Sequence, residues 1–442
     1  MGGGVLDRST LIDGLYQKLA NEEDARVCRD ISEEACREVP GNFFRLLLAH
    51  FFTKLGDAIA SPKTVLAWVT NAVGAPAIVL GFLVPIRESG SLIPQLFIAG
   101  YVRRLPVRKW VWVIGSVVQA LAVAGLGIVA VTLRGDAAGG AILLLLVLFS
   151  LARGFCSVAS KDVLGKSVPK TRRGRLTGWA ASAAGLVTLG VGIALMLPSV
   201  EAKGQVGFGW LLGLGGAMWI LGAVVYAGVE EFAGETGGGA NAVTEALARL
   251  SILREDAAFR RFVISRALLM CSALSAPYYV ALGQERLGEV SWLLGLFVVA
   301  GGLANLVSAP FWGHFADRSS RWVMVAAALV TSVTGFALVG ADRFLPQVAQ
   351  MRWFVPGMYF LLSLAHSGVR VGRKTYVVDL ASGNRRTDYV AVSNTVIGVL
   401  LLAAGGIGSL APLISHAGII AVLSSMGLLG AVLSATLPDT TE

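Results

Sequence analysis

Gly313-His-Phe-Ala-Asp-Arg-Ser-Ser-Arg321 lies between two apolar runs, one ending near Pro310 and the next starting at Trp322. One fixed step back along the chain lands it on Gly100-Tyr-Val-Arg-Arg-Leu-Pro-Val-Arg108, glycine on glycine and arginine on arginine. The same step carries Lys374 onto Lys161, Arg385 and Arg386 onto Arg172 and Arg173, and Ser363-Leu-Ala onto Ser150-Leu-Ala. Three separated basic loops joined by one ungapped offset mark a duplication of halves of roughly 200 residues. Internal repeats of this kind are the usual build of secondary transporters.

Composition sets the solvent. The chain is 55% hydrophobic and 15% charged, with a mean hydropathy of +0.70, whereas soluble domains sit near 45–50% apolar and about 25% charged. Apolar runs long enough to span a bilayer, about 20 residues, recur along the whole chain. The 54 glycines fit close helix packing in lipid. Twelve spans are read, roughly 43–69, 75–101, 109–132, 140–165, 172–197, 206–228, 258–282, 290–312, 322–340, 353–379, 387–411 and 414–436. A strand barrel is excluded, because the segments are twice the length of a tilted strand and lack strict alternation. The expected organisation is a polar N-terminal segment 1–41, a six-helix half 42–228, a linker 229–257 and a second six-helix half 258–442.

The loop residues carry a family resemblance. Gly313, Asp317, Arg318 and Arg321 resemble the loop signature of the major facilitator superfamily, with Gly100, Arg104 and Arg108 as the first-half copy. Arg104 stands where Asp317 does, so the first copy departs from the pattern. The resemblance implies an all-helical membrane protein of twelve spans in two six-helix repeats. It also implies that Asp and Arg brace the cytoplasmic helix ends in one conformation and release them in the other. Spans 1, 4, 7 and 10 are implied to line a central cavity. Arg153-Gly154 resembles the family's span-4 signature tied to proton coupling. Gly185, Gly190 and Gly192 resemble the glycine-rich fifth helix of family exporters, although helix packing accounts for them equally well.

Loop charge gives orientation. Basic clusters follow the even spans, at Arg103 to Lys109, Lys161 to Arg175, Arg249 to Arg261, Arg318 to Arg321 and Arg370 to Arg386. Loops after odd spans hold little beyond Arg134, Lys203, Arg286, Arg343 and Arg352. Basic loops stay in the cytoplasm. Both termini are therefore expected inside, in a cytoplasmic (inner) membrane, and the net charge of +9 needs no nucleic acid. The polar, acid-rich first 40 residues do not read as a cleavable signal. Ile12, Leu15, Tyr16 and Leu19 recur there at helical spacing. Cys28, Cys36, Cys156 and Cys271 form no ligand pattern, so neither a disulfide frame nor a zinc site is expected.

Charges at membrane depth need a reason, since each costs at least ~2.5–3.5 kcal/mol at the bilayer centre. Asp57, Arg87, Glu88, Arg153 and His366 fall at span midpoints, with Lys54 and Arg266 about one turn away. His366 is the repeat mate of Arg153. Glu88 is read as a proton carrier, with Asp57 as second choice. Arg87, Arg153, His366, Lys54 and Arg266 are read as solute-binding. The competing reading is a structural ion pair, Arg87 or Arg153 with Glu88 or Asp57, and Lys54 sits three residues from Asp57 on one helix face. Two prolines and a glycine around Arg87 and Glu88 predict a kinked or broken span 2. No P-loop, metal spacing or nucleophile elbow appears, so no enzyme and no bound cofactor is expected, only an ion gradient. The functional reading is a monomeric secondary transporter of a small anionic or zwitterionic solute. Export of lipophilic cations, and a non-transporting sensor or assembly protein on the same fold, are the alternatives.

Overall fold

The computed structural model describes Tyr16, residues 31–198, 204–234, Thr236, 249–380 and 384–439. The N-terminal helix read around Ile12, Leu15 and Leu19 and the glycine-rich part of the linker lie outside these residues. Tyr16 rests edge-on against Phe43, ring centroids 5.5 Å apart. Among the described residues the structure is helical, without strands, and every predicted span coincides with helix.

Span 1 is two helices, Val39–Ile59 and Val65–Ala72. Pro62 lies in the gap, where it lacks an N–H and obstructs the preceding turn. Ser61 takes over the freed backbone: its carbonyl accepts from Leu66 N at 2.9 Å and its hydroxyl from Lys63 N at 3.3 Å. Span 7 is likewise broken, into Ala257–Leu268, Cys271–Leu274 and Ala276–Leu287. Span 2 is broken at the second of the two prolines around Arg87 and Glu88: Ala77–Leu92 runs through Pro85 and Gly90, and the break falls at Pro94 before Gln95–Val102. A proline inside a helix forfeits one hydrogen bond, which neighbouring helices in lipid can offset.

Nine segments of the described residues are long and apolar enough to cross a membrane. They cover spans 2 to 9 singly, and Asp388–Ala435 takes in spans 11 and 12 together. Spans 1 and 10 are absent from that set because Val39–Ile59 carries Arg45, Lys54 and Asp57, and Phe354–Asp379 carries Arg370, Arg373 and Lys374. Helices so charged need a polar neighbour inside the protein. Elsewhere Leu121, Leu144, Trp210, Val333 and Leu429 stand exposed on outer faces, as suits contact with lipid. One sequence expectation is corrected at the polar leader: Cys36 is disulfide-bonded. A single bridge outside the spans leaves no mark in cysteine spacing. Cys156 and Cys271 are free and buried.

The repeat is visible in space. Span 3 packs on spans 4 and 6 as its mate, span 9, packs on spans 10 and 12, and contact across the halves runs through spans 2 and 11, 5 and 8, and the second parts of 1 and 7. Asn71 Nδ2 donates to Gln284 Oε1 at 2.9 Å, and these residues are 213 apart, the step read from the loops. Two copies of one position therefore meet at the axis relating the halves. Under the same step Gly192 is the mate of Gly405 and Phe82 the mate of Gly295. A Cβ on Gly295 would stand 2.5 Å from the Gly192 carbonyl oxygen, and one on Gly405 2.6 Å from the Phe82 ring. The close crossing is made twice, once glycine on glycine and once glycine on Phe82, and neither Gly295 nor Gly405 has room for a Cβ.

Candidate functional site

These contacts all lie on the parts of the spans that lead to the loops after odd spans. Toward the loops after even spans the halves diverge around a central cavity of about 590 Å³. Spans 1, 2, 4, 5, 7, 8 and 10 line it. The breaks in spans 1 and 7 deliver Ser61, Lys63 and Ser272 to its wall.

Of the two carboxylates on the cavity wall, Asp57 is the more heavily held. Arg153 Nη1 donates to both of its oxygens at 2.6 Å, and Arg87 Nη2 donates to Oδ1 at 2.7 Å. The Arg87 guanidinium also lies over the Phe149 ring, 4.5 Å from its centroid. The partner of Asp57 is thus a pair of arginines, and Lys54, one turn away, makes no ion pair among the described residues. Only Arg87 is buried, at 8% side-chain exposure, whereas Arg153 and Asp57 keep 36% and 28% of theirs toward the cavity. The cluster fixes spans 1, 2 and 4 against one another and keeps one net positive charge.

Glu88, adjacent to Arg87 in sequence, behaves differently. Its side chain is exposed to the cavity and has no hydrogen bond or ion pair to a described residue. The foremost attraction on it comes from Lys63 and then Arg87. Lys63 itself crosses the halves: its Nζ lies 2.8 Å from His366 Nε2. His366 Nδ1 is 3.1 Å from Ser272 Oγ, which donates in turn to the Leu269 carbonyl. That order of donors assigns a neutral His366 with its proton on Nδ1. The sequence reading gave Lys63 no role. Its signal was the adjoining Ser61-Pro62 break.

Arg266 is turned away from the cavity. Its guanidinium donates to Ser393 Oγ at 2.7 Å and Asn394 Oδ1 at 2.8 Å, both on span 11. Arg370, which the sequence reading counted only as loop charge, lines the cavity and is exposed there. Depth was readable by counting residues, but facing was not.

No family model matches the chain. It aligns with an enterobactin exporter, EntS, of Shigella boydii serotype 4 over 169 residues at 28% identity, 36% of this chain and 41% of that protein. The match therefore spans less than half of the curated relative's length. Among solved structures it resembles a D-xylose–proton symporter, TM-score 0.67 and 16% identity, covering 90% of this chain and 98% of that one. A POT family transporter in complex with 5-aminolevulinic acid gives TM-score 0.67 at 10% identity, over 89% and 95%. The fold is that of the major facilitator superfamily.

Within the facilitator fold the two loop copies end differently. Arg108 is buried, donates Nε to the carbonyls of Val102 and Leu105 at 3.1 Å, and pairs with Asp162 of span 4. Glu231, just past span 6, accepts from the backbone N–H groups of Arg108 and Lys109 at 2.8 and 2.6 Å. Gly100 is buried and Arg104 exposed. In the second copy Gly313 has open space at its Cβ position. Asp317 and Arg318 are exposed and make no ion pair among the described residues. Arg321 reaches the Leu437 carbonyl at 2.9 Å and Asp439 at 2.8 Å.

Proposed function

We propose that the chain is a proton-coupled secondary transporter of a small anionic or zwitterionic organic solute, working by alternating access in a cytoplasmic membrane. The even-loop end is cytoplasmic on the positive-inside rule, which places both termini inside. The observation that carries the reading is Glu88: a carboxylate at membrane depth, open to the central cavity, with no hydrogen-bond or ion-pair partner among the described residues. An ion pair needed only for packing has the form seen at Asp57. A carrier of protons instead needs surroundings that change between access states, and Lys63, the foremost attraction on Glu88, is held by His366 of the opposite half, so a movement of the halves alters it. Arg153 and His366 border the same cavity and contact the solute. Arg87 acts through Asp57. Export is the direction favoured by the enterobactin exporters that the chain resembles, since the open end then loads from the cytoplasm.

The test is solute flux in proteoliposomes under an imposed pH gradient, with citrate, glutamate and enterobactin as trial solutes. Glu88→Gln is expected to abolish gradient-driven accumulation of the transported solute while counterflow exchange continues. Full accumulation with an unchanged pH profile would remove Glu88 from the mechanism.

A further inference from the structure

The cavity wall carries Lys54, Lys63, Arg87, Arg153 and Arg370 against Asp57 and Glu88. Asp57 is taken by Arg87 and Arg153, Lys63 is engaged with His366, and Glu88 is drawn to Lys63 and Arg87. Lys54 on span 1, attracted by Asp57 but not paired with it, and Arg370 on span 10 are left over. Neither has an ion pair or side-chain hydrogen bond to a described residue, and they stand in opposite halves of the chain, near enough to repel each other. Closer to the mouth the repeat mates Lys161 and Lys374 also repel, with Arg373 beside them. Like charges across a low-dielectric cleft resist its closure. An anion between them reverses the sign of that interaction.

We infer that Lys54 and Arg370 form a two-sided anion site that takes a solute bearing at least two carboxylate or phosphate groups, and that filling it allows the even-loop end to close. This rests on the transport reading above and narrows its substrate class to polyanions. Each cation meets one anionic group, so the solute joins the two halves through charge-assisted hydrogen bonds. A ligand that binds the closed form better draws the population toward it. The cavity suits a metabolite-sized ion, lying within the ~300–1,000 Å³ of small-molecule pockets.

Citrate and inorganic phosphate serve as probes on the purified full chain, with tetraphenylphosphonium as the cation control. Citrate is expected to bind the parent. Lys54→Gln and Arg370→Gln are each expected to weaken it by roughly ten- to a hundredfold, the worth of a hydrogen bond to a charged group, with Arg370→Lys retaining most of the affinity. A thiol introduced at Ser363, a cavity residue, is expected to label more slowly with citrate present in the parent, but not in Arg370→Gln. Absence of binding by citrate and phosphate to the parent overturns the inference. So does unchanged citrate affinity in both glutamine variants, or equal stabilisation by tetraphenylphosphonium. Citrate affinity lost in the variants without any pH-driven flux in the parent leaves the anion site standing and removes the transport reading. PH-driven flux with citrate affinity unchanged in the variants removes the site alone.

Discussion

At the odd-loop end the halves meet through glycines and neutral amides, Gly81 on Gly405 and Gly408, Gly192 on Gly295, Asn71 on Gln284. At the even-loop end they face each other with Lys54, Lys161, Arg370, Arg373 and Lys374. Dispersion between touching backbones is short-ranged and needs nothing added, so the first end closes by itself. Charge acts over the width of the cleft and depends on what lies between, so closure of the second end is conditional. The access state seen here follows from that difference in materials.

The strongest way to break the contrast is to make the closed end permanent. A disulfide between Asn71→Cys and Gln284→Cys is expected to reduce transport to background and to leave labelling of a thiol at Ser363 from the even-loop side intact, with reductant restoring flux. Flux surviving the bridge would mean that the odd-loop end need not open. Next in size is a wedge. A Cβ on Gly81 stands 2.5 Å from the Gly405 carbonyl oxygen, so Gly81→Leu is expected to destabilise the closed end by about 1–3 kcal/mol, the usual range for overpacking. The measurement is labelling from the odd-loop side, which rises; unchanged labelling would place the seal elsewhere. The smallest effect belongs to Asp317→Asn. Because Asp317 is exposed and has no ion-pair partner among the described residues, melting in detergent is expected to shift by no more than ~0.5 kcal/mol, while transport, which visits the other state, falls. A large loss of stability would show that the brace is already engaged here.

The difference between the ends also explains what was legible beforehand. Apolar length announced the spans, and the loop arginines announced the repeat, because both are one-dimensional properties. The charges near mid-span were found by counting, and Asp57, Arg87 and Arg153 do converge. Their partners were legible only as alternatives, Arg87 or Arg153 with Asp57 or Glu88, or Lys54 with Asp57 on one helix face; in the structure both arginines take Asp57. Arg266 has suitable depth but is rotated toward Ser393 and Asn394. Arg370 sits beyond the midplane and enters the cavity only because the halves splay at that end. Rotation and splay are set by packing between distant spans, such as the paired glycine crossings, which no single stretch of sequence states.

The hydrogen bond between Asn71 and Gln284 has one more implication. If the halves descend from a shorter ancestor that paired with a second copy of itself, the side chain on the axis had to face its own twin. A carboxylate or an ammonium in that position repels its copy, and an aliphatic group offers no directional bond. A primary amide carries donor and acceptor on one planar group and so complements itself. Two identical amides would have closed that dimer without any prior divergence, and after fusion of the genes the two copies were free to differ by a single methylene, as asparagine and glutamine do here.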